Sequence, residues 1–373
     1  MGISEAFKSV EFTLPSLEIF KIPPRPLIRT PLVPLNTPLE RFFRPLHVNP
    51  RFFDLSLNPE FVFTFVAVYV TFVALLNQFN SGRQYKPWAL TKTSTFKAFM
   101  LAHNALLALF SAWVYCGIVY YHYDHWKRTT SGLEGRSSAH VVEFLCQLDS
   151  RDYRILAKPP AGSEERVIYM YWVFYLSKFY EVVDTLIILA RGKKSSTLQT
   201  FHHAGVIIIG WTGLRYESPM APPGAMLNAM VHTLMCHLYS VLTKGYRHFQ
   251  YFYFTLQTLR IPVSKGFKRA LTRVQIAQFI VGLGFAHFYL FVSYKAPMLT
   301  GAPQVAMSFE ANGQASNTST GMTSIPCLGN QGEGFPLVVA SSYLLPLIYL
   351  FVEFYIKSYT VKAAKTTRDA EVK

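Results

Sequence analysis

The sequence predicts an all-α membrane protein with seven transmembrane helices, and a count of six is the nearest alternative. Of its 373 residues, 51% are hydrophobic and 16% aromatic, whereas only 15% are charged. That is too little charge for a soluble domain of this size. Seven apolar runs approach the ~20 residues that cross a bilayer core. They cover residues 61–79, 98–121, 167–190, 198–214, 225–243, 274–294 and 335–356.

The chain divides into a tail, a membrane domain and a second tail. Ten of its 22 prolines fall within residues 15–59, so residues 1–60 are expected to be irregular and extended rather than a folded domain. Residues 61–357 form the predicted membrane domain, and residues 358–373 form a basic C-terminal tail.

The distribution of basic residues orients the predicted spans. The segments 191–197, 244–273 and 357–373 hold 15 Lys and Arg, whereas the alternate loops of that half hold only Arg215 and Lys295. The positive-inside rule therefore places these three segments in the cytosol, with the N-terminus luminal and the C-terminus cytosolic. The N-terminal tail and the loop 122–166 are also basic and fall on the luminal side; the shorter loops of the second half decide the orientation.

Two features fit this orientation. Asn317 begins an Asn-Thr-Ser glycosylation acceptor in the loop 296–334, on the predicted luminal side. Cys146 and Cys327 lie in the two long luminal loops, where an oxidising compartment permits a disulfide between them. The net charge of +15 lies in loops beside apolar spans, which does not suit nucleic acid but suits anionic headgroups or a phosphorylated ligand.

In the third run, polar side chains follow one face of a helix. The spacing i, i+3, i+6 and i+7 joins Lys178, Glu181, Asp184 and Thr185. Each ionisable group at bilayer depth costs roughly 2.5–3.5 kcal/mol, so this face must point away from lipid. An internal ion-pair network or a wet pocket satisfies that requirement, and the polar faces of other runs favour the pocket.

Four further runs contribute candidate pocket residues. These are Asn104 in the second run, Gln199, His202 and His203 in the fourth, Asn228, His232, Met235 and Tyr239 in the fifth, and Thr272, Gln275 and Gln278 at the start of the sixth. Singly, such groups are also typical of hydrogen bonds between helices. Together we expect helices two to seven to enclose a cavity that opens to the cytosol and ends in apolar walls. That shape suits an amphiphile with a polar head and a hydrocarbon tail.

The adjacent histidines His202 and His203 raise the question of metal binding. Clustered histidines are common ligands of iron and zinc, and Gln199 to His203 resembles one histidine box of a di-iron desaturase or hydroxylase. The other histidine pairs are predicted to lie on the luminal side or on different helix faces. Too few ligands remain on one side, so we expect no metal.

Nucleophilic or acid–base catalysis is the second interpretation of these histidines. Burial favours the neutral imidazole, which can attack an electrophile such as a thioester or accept a proton. Gln199 is expected to orient the imidazole ring, and it shares a helix face with His202. A third interpretation is a seven-span receptor or transporter, in which the buried charges bind a ligand or relay protons.

Four ordered boxes resemble the ELO family of very-long-chain fatty acid elongases. The boxes are Lys178-x-x-Glu181-x-x-Asp184-Thr185, the His202-His203 pair, His232-x-x-Met235 with Tyr239, and Thr272-x-x-Gln275-x-x-Gln278. The resemblance covers about residues 80–357 and implies a seven-span protein of the endoplasmic reticulum. It also implies that the enzyme condenses acyl-CoA with malonyl-CoA to 3-ketoacyl-CoA, releasing carbon dioxide, without a metal or other cofactor.

The resemblance also implies residue roles. His202 matches the acyl-carrying nucleophile, His232 and His203 match further catalytic histidines, and Asp184 and Lys178 join them as catalytic candidates. Gln199 stands where the family box HxxHH has its first histidine, as in a subset that includes some fungal elongases. Glutamine hydrogen bonds but cannot titrate. Cys236 and Leu238 stand where tyrosines are usual.

Partners follow from this chemistry. Basic cytosolic residues are expected to hold the CoA phosphates, namely Lys86, Arg191, Lys193, Lys244 and Arg247. The 3-keto product needs reduction, dehydration and a second reduction, so a ketoacyl reductase, a dehydratase and an enoyl reductase are expected in the same bilayer. The sequence leaves open whether the protein forms a homodimer.

Overall fold

The computed structural model describes residues 10–21, 38–45, 48–130, 146, 163–216, 218–242, 265–297, 322–329 and 331–360. Long helices dominate these residues, with three short strands at one end. In chain order the elements are β1 (Val10–Phe12), α1 (Pro38–Phe43), α2 (Pro50–Ser56), α3 (Pro59–Gly82), α4 (Ser94–Thr130), α5 (Ser163–Tyr180), α6 (Val182–Ala190), α7 (Thr197–Arg215), α8 (Ala221–Leu242), α9 (Lys265–Phe291), β2 (Val292–Pro297), β3 (Met322–Pro326) and α10 (Phe335–Tyr355).

Each of the seven predicted runs overlaps a helix, although the third is broken and the last residues of the sixth, 292–294, belong to β2. A turn at Glu181 separates α5 from α6. Among the described residues, four helical segments are long and apolar enough to cross a membrane: Pro59–Gly82, Ser94–Asp124, Gly266–Phe291 and Phe335–Tyr359. Of the other three runs, the third and fourth contain buried polar residues such as Lys178, Glu181 and His203, which lower their mean hydropathy.

Local sequence signals explain where several helices begin. Asn58 caps α3, its side-chain oxygen accepting from the backbone N–H of Glu60 at 2.7 Å, and Pro59 occupies the first helical position. Ser196 caps α7 by accepting from the N–H of Gln199 at 3.2 Å. Caps of this kind satisfy amide groups that have no partner inside the helix.

The described part of the N-terminal segment is more structured than predicted. It contains β1, α1 and α2 rather than irregular chain only. The prolines that suggested irregularity at Pro38, Pro50 and Pro59 begin helices instead. The N–H of the first helical residue makes no hydrogen bond within the helix, so proline loses nothing there, and its fixed φ suits the helical conformation.

Six helices form a closed ring. Going around it, α4 packs against α8, α8 against α9, α9 against α10, α10 against α7, α7 against α5, and α5 against α4. Helix α3 lies outside this ring, against α6 and α7. The largest apolar cluster joins α2, α3 and α4 to α5, α7 and α8, and includes Phe53, Ile118, Tyr175 and Ile207.

A small cap packs beside the end of α9 and the start of α10. Strands β1, β2 and β3 form an antiparallel sheet in that order, with Val10 opposite Tyr294 and Tyr294 opposite Ile325. A disulfide joins Cys146 to Cys327, whose Cα atoms are 4.6 Å apart. Both cysteines belong to the apolar cluster of the cap, so this covalent link ties two loops distant in sequence to one end of the helices.

Candidate active site

Two adjoining cavities lie within the ring. The larger, of about 450 Å³, is lined mostly by polar side chains, and the smaller, of about 170 Å³, is lined mostly by apolar ones. Asn228, Gln278 and Phe279 line both. The two spaces therefore meet at these three residues and together have the polar-to-apolar character that an amphiphile requires.

Lys178 lies at this junction beside two hydrogen-bond acceptors and an aromatic ring. Its Nζ donates to Glu181 Oε1 at 2.7 Å and to Asn228 Oδ1 at 3.3 Å, and it lies 4.1 Å from the centre of the Phe174 ring. Both Lys178 and Glu181 are buried. A buried charge is tolerated when an opposite charge and hydrogen bonds replace water. The ion pair between Lys178 and Glu181 therefore stabilises the turn between α5 and α6, and it also forms part of the cavity wall.

His202 is held from α10. Its Nδ1 lies 3.1 Å from Oη of Tyr343, and the same hydroxyl donates to the His202 carbonyl oxygen at 3.2 Å. A hydroxyl that donates its only proton to a carbonyl has only lone pairs left, so it accepts from Nδ1–H. With the hydroxyl donating to the carbonyl oxygen, the compatible tautomer carries its proton on Nδ1 and has its lone pair on Nε2; this tautomer is inferred from the hydrogen-bond pattern.

Gln199 contacts His203, although the i, i+3 spacing places it on one helix face with His202. The Gln199 amide nitrogen lies 2.7 Å from His203 Nε2. The two residues are one helical turn apart, at i and i+4, which brings their side chains together as readily as the i, i+3 spacing does. Among the described residues, the buried Nδ1 of His203 has no hydrogen-bond partner.

Asp184 faces the large cavity with a partner that the sequence analysis missed. His103 Nε2 lies 2.9 Å from Asp184 Oδ1, and His103 Nδ1 lies 2.9 Å from Oη of Tyr180. His103 is buried on α4, next to the predicted Asn104. His103 is a titratable group inside an apolar run. The free-energy cost of placing such a group at bilayer depth, which identified Lys178 as a pocket candidate, therefore could have identified His103 as well.

The large cavity collects most of the predicted pocket residues. Those that line it are Asn104, Glu181, Asp184, Gln199, His202, His203, Asn228, His232, Gln275 and Gln278. Met235 and Tyr239 lie within the bounds of α8, but their side chains are outside the described part of the chain.

Two predicted pocket residues do not line either cavity. Thr185 is fully buried against α3, where its hydroxyl lies 2.9 Å from Oη of Tyr69. Thr272 donates back to the carbonyl oxygen of Lys268 within α9 at 3.1 Å. Both threonines lie at the edge of a polar helix face that was predicted correctly. A threonine hydroxyl at such an edge can hydrogen bond to a neighbouring helix, as in Thr185, or to a carbonyl oxygen of its own helix, as in Thr272.

Basic side chains line the end of the large cavity near the start of α7. Arg191 and Lys193 were predicted, and Lys194 was not. Lys86 lies on the adjacent loop, whose backbone contacts Gly192, but does not line the cavity. Lys244 and Arg247, like the glycosylation candidate Asn317, lie outside the described residues. We call Arg191, Lys193 and Lys194 the basic rim.

Tyr343 is the second contact that the sequence analysis missed. It is buried on α10, and no polar periodicity marks it, because tyrosines are common in helices at a membrane. Gly205 makes room for it: a Cβ at that position would overlap the Tyr343 ring. Among the described residues, no group of three or more His, Cys, Asp or Glu side chains is arranged to hold a metal ion.

Comparison with known proteins identifies the family. Residues 55–367 match the family described as ELO: GNS1/SUR4. The chain belongs to this family. The resemblance inferred from the four sequence boxes is thereby confirmed, and the match begins well before the first of them.

Relatives carry elongase names. The fatty acid elongase sre1 of Dictyostelium discoideum is 25% identical over 202 residues, covering 54% of this chain and 62% of that protein, less than two thirds of its length. A putative fatty acid elongase of the same organism is 28% identical over 287 residues, 76% of this chain and 72% of its own. Human very long chain fatty acid elongase 1 is 26% identical over 270 residues, 68% of this chain and 78% of its own.

Proposed function

We propose that this protein is the condensing enzyme of fatty acid elongation, joining an acyl-CoA with malonyl-CoA to give a 3-ketoacyl-CoA, carbon dioxide and CoA. The observation that carries the proposal is the position of His202. Its ring lines the polar cavity, and its hydrogen-bond partner Tyr343 lines the apolar one. An acyl chain in the apolar cavity would present its thioester beside this ring.

The two cavities divide the substrate between them. The apolar cavity between α5, α7, α8, α9 and α10 would take the hydrocarbon chain, because burial of methylene groups drives such binding. The polar cavity would take the thioester and the pantetheine arm. The basic rim would hold the CoA phosphates, since Arg and Lys bind phosphate by charge-assisted hydrogen bonds.

In the first half-reaction, Nε2 of His202 attacks the thioester carbonyl. The new bond joins Nε2 to the acyl carbon, the carbon–sulfur bond breaks, and the CoA thiolate leaves with the proton from Nδ1. Tyr343 keeps Nδ1 protonated before the attack, so the nucleophilic lone pair faces the cavity. The product is an acyl-imidazole on the protein and free CoA.

In the second half-reaction, malonyl-CoA loses carbon dioxide and its enolate carbon attacks the acyl carbon. The bond to Nε2 breaks and the 3-ketoacyl-CoA is released, while the imidazole takes up one proton from water to replace the proton that left with CoA, which restores His202. The enolate oxygen needs hydrogen-bond donors aimed at it. The side-chain amide of Asn228 and Nζ of Lys178 lie at the junction of the cavities and are suited to that role, while His232 and His203 line the same wall for proton transfer.

The first experiment looks for the covalent intermediate. Purified protein is incubated with radiolabelled acyl-CoA alone, and protein-bound label is measured before and after hydroxylamine. We expect a hydroxylamine-sensitive adduct that His202→Ala abolishes. His287→Ala is the matched control, because His287 bonds the backbone of its own helix at 2.8 Å and lines neither cavity. No adduct and no malonyl-dependent product with any acyl-CoA would overturn the proposal.

A second experiment tests the basic rim. Lys193→Gln with Lys194→Gln should raise the KM for acyl-CoA, and raised salt should weaken wild-type binding more than that of the double variant. Lys92→Gln is the control, because Lys92 is exposed and does not line the cavity. An unchanged KM in the double variant would remove the rim from the CoA site.

The membrane arrangement is part of the proposal. Seven spans would cross the endoplasmic reticulum, with the basic rim facing the cytosol, where acyl-CoA and malonyl-CoA are supplied, and with the disulfide-bonded cap in the lumen. Glycosylation at Asn317, detected as a glycosidase-sensitive mobility shift lost in Asn317→Gln, would support this side assignment. The reductases and the dehydratase that complete the cycle would share the membrane.

A further inference from the structure

The N-terminal residues Val10–Lys21 belong to the cap. Strand β1 is an edge strand on β2, and the N–H of Thr13 donates to the carbonyl oxygen of Phe291, the last residue of α9, at 2.9 Å. Glu11 forms an ion pair with Lys295 across the two strands. These residues precede the family match, which begins at residue 55.

Ile19 fastens this segment to the start of α10. Its carbonyl oxygen accepts from the N–H of Gly332 at 3.1 Å and from the N–H of Gly334 at 2.9 Å. Its side chain is fully buried. A Cβ on Gly334 would lie 2.9 Å from the Phe20 ring and 3.0 Å from Ile19 Cγ1, so Ile19 and Phe20 rest directly on the residue that precedes α10.

The same contacts reach the end wall of the apolar cavity. Pro336 and Leu337, in the first turn of α10, line that cavity. Met220, just before α8, lines it as well and packs against the apolar cluster that contains Ile19. The cap therefore touches the cavity wall at two points, the first turn of α10 and Met220.

We propose that the cap fixes the depth of the apolar cavity and that Ile19 is a positioning residue for acyl-chain length. This inference rests on the proposed function, because it assigns the apolar cavity to the acyl chain. Ile19 does not line the cavity; it acts by holding Met220 and the first turn of α10 in place. When the wall yields, the cavity accommodates more methylene groups, and longer acyl-CoAs become substrates.

The test compares product lengths in full-length variants supplied with malonyl-CoA and a series of saturated acyl-CoAs. Ile19→Ala should shift the product profile to longer chains, with a change on the order of tenfold in relative kcat/KM for each methylene newly admitted. Met220→Trp places a larger side chain at the end of the apolar cavity and should shift the product profile to shorter chains. Leu17→Ala is the control, because Leu17 lies in the same turn and its side chain is 80% exposed.

A milder variant guards against loss of folding. Ile19→Val removes one methyl group and should move the profile in the same direction as Ile19→Ala, with the KM of long acyl-CoAs falling and that of short ones unchanged. Wild-type profiles in Ile19→Val and Ile19→Ala, alongside a shortened profile in Met220→Trp, would overturn the inference and leave the proposed function standing. Absence of condensation by the wild type would instead contradict the proposed function.

Discussion

His103 on α4 and Asp184 on α6 form a hydrogen-bonded pair, with His103 Nε2 2.9 Å from Asp184 Oδ1. Nδ1 of His103 lies 2.9 Å from Oη of Tyr180, so both imidazole nitrogens have a hydrogen-bond partner. The Asp184 side chain is about one-third exposed and faces the large cavity. A histidine held at both nitrogens fixes the carboxylate on the side away from substrate.

Loss of His103 should therefore misplace the Asp184 carboxylate. We expect His103→Phe to lower kcat/KM about tenfold to a hundredfold, the value of one hydrogen bond to a charged group. His122→Phe is the control, because His122 lies on the same helix, bonds the backbone of Ile118 at 2.7 Å and lines neither cavity. Steady-state kinetics at several pH values measure kcat/KM for both variants. If kcat/KM falls equally in the two variants, His103 has a purely structural role.

Tyr343 should control the rate of acyl transfer to His202. Tyr343→Phe keeps the ring that stacks on Phe201 but removes the hydroxyl that accepts from Nδ1. Losing one neutral hydrogen bond should slow adduct formation by about threefold to tenfold. Rapid-quench measurement of the acyl adduct isolates this step from product release. A wild-type rate constant would show that Tyr343 does not set the tautomer of His202.

Gly205 is required for the position of Tyr343. A Cβ at this position overlaps the Tyr343 ring, so Gly205→Ala must displace the ring and should cost about 1–3 kcal/mol of stability. Adduct formation should fall at least as far as in Tyr343→Phe. Gly284→Ala is the matched control, since a Cβ there meets no atom within 4 Å. Thermal midpoints and rapid-quench rates measure the two effects, and a neutral Gly205→Ala would contradict the packing.

The disulfide should stabilise the cap. Cys146 and Cys327 close a loop with a sequence separation of 181 residues, and loss of a native disulfide typically costs about 2–5 kcal/mol. Cys327→Ser should lower the thermal midpoint and alter mobility on a non-reducing gel. Cys116→Ser, which removes an exposed free cysteine, should do neither. A reductant that lowers the midpoint of wild type but not of Cys327→Ser would complete the test.

The ion pair between Glu11 and Lys295 gives the cap a pH dependence. The hydrogen bond from Lys295 lowers the pKa of the Glu11 carboxyl below its ordinary value of 4.5. The pair therefore contributes stability above pH 4.5 that is lost as the pH falls through the lowered pKa. Both side chains are at least one-third exposed, so the contribution is about 1 kcal/mol or less.

Glu11→Gln removes this dependence. Its thermal midpoint should lie below that of wild type near neutral pH, and the difference should vanish as wild type becomes protonated. A difference that grows on acidification would reverse the sign of the linkage. Combining Glu11→Lys with Lys295→Glu should recover the midpoint that either single change lowers.

Helical periodicity predicted which residues share a face, but not what that face meets. Lys178 and Asp184 were expected to face a cavity, and each lines one of the two cavities. Thr185, on the edge of the same stripe, meets Tyr69 of α3 instead. The spacing predicted one continuous helix, whereas a turn at Glu181 separates α5 from α6. Neither the break nor the neighbour is encoded in residue spacing.

Contacts between distant segments could not be predicted either, because residue spacing does not show which helices become neighbours. His103 and Asp184 are 81 residues apart, and His202 and Tyr343 are 141 apart. Each side chain is compatible with many partners, and only the packing of the ring selects one. The contact between Gln199 and His203 was closer to prediction, because one helical turn allows either histidine to be the neighbour.

The sequence by itself determined the helical runs, the polar residues within them and the four boxes that define the family, because hydrophobic periodicity and the cost of buried charge act locally along the chain. The tertiary structure decided which imidazole meets Tyr343, which carboxylate meets His103, and that residues 10–21 pack beside the end of α9 and the start of α10. These outcomes depend on which helices become neighbours, and that choice is made by side-chain packing summed over the whole molecule rather than by any one segment.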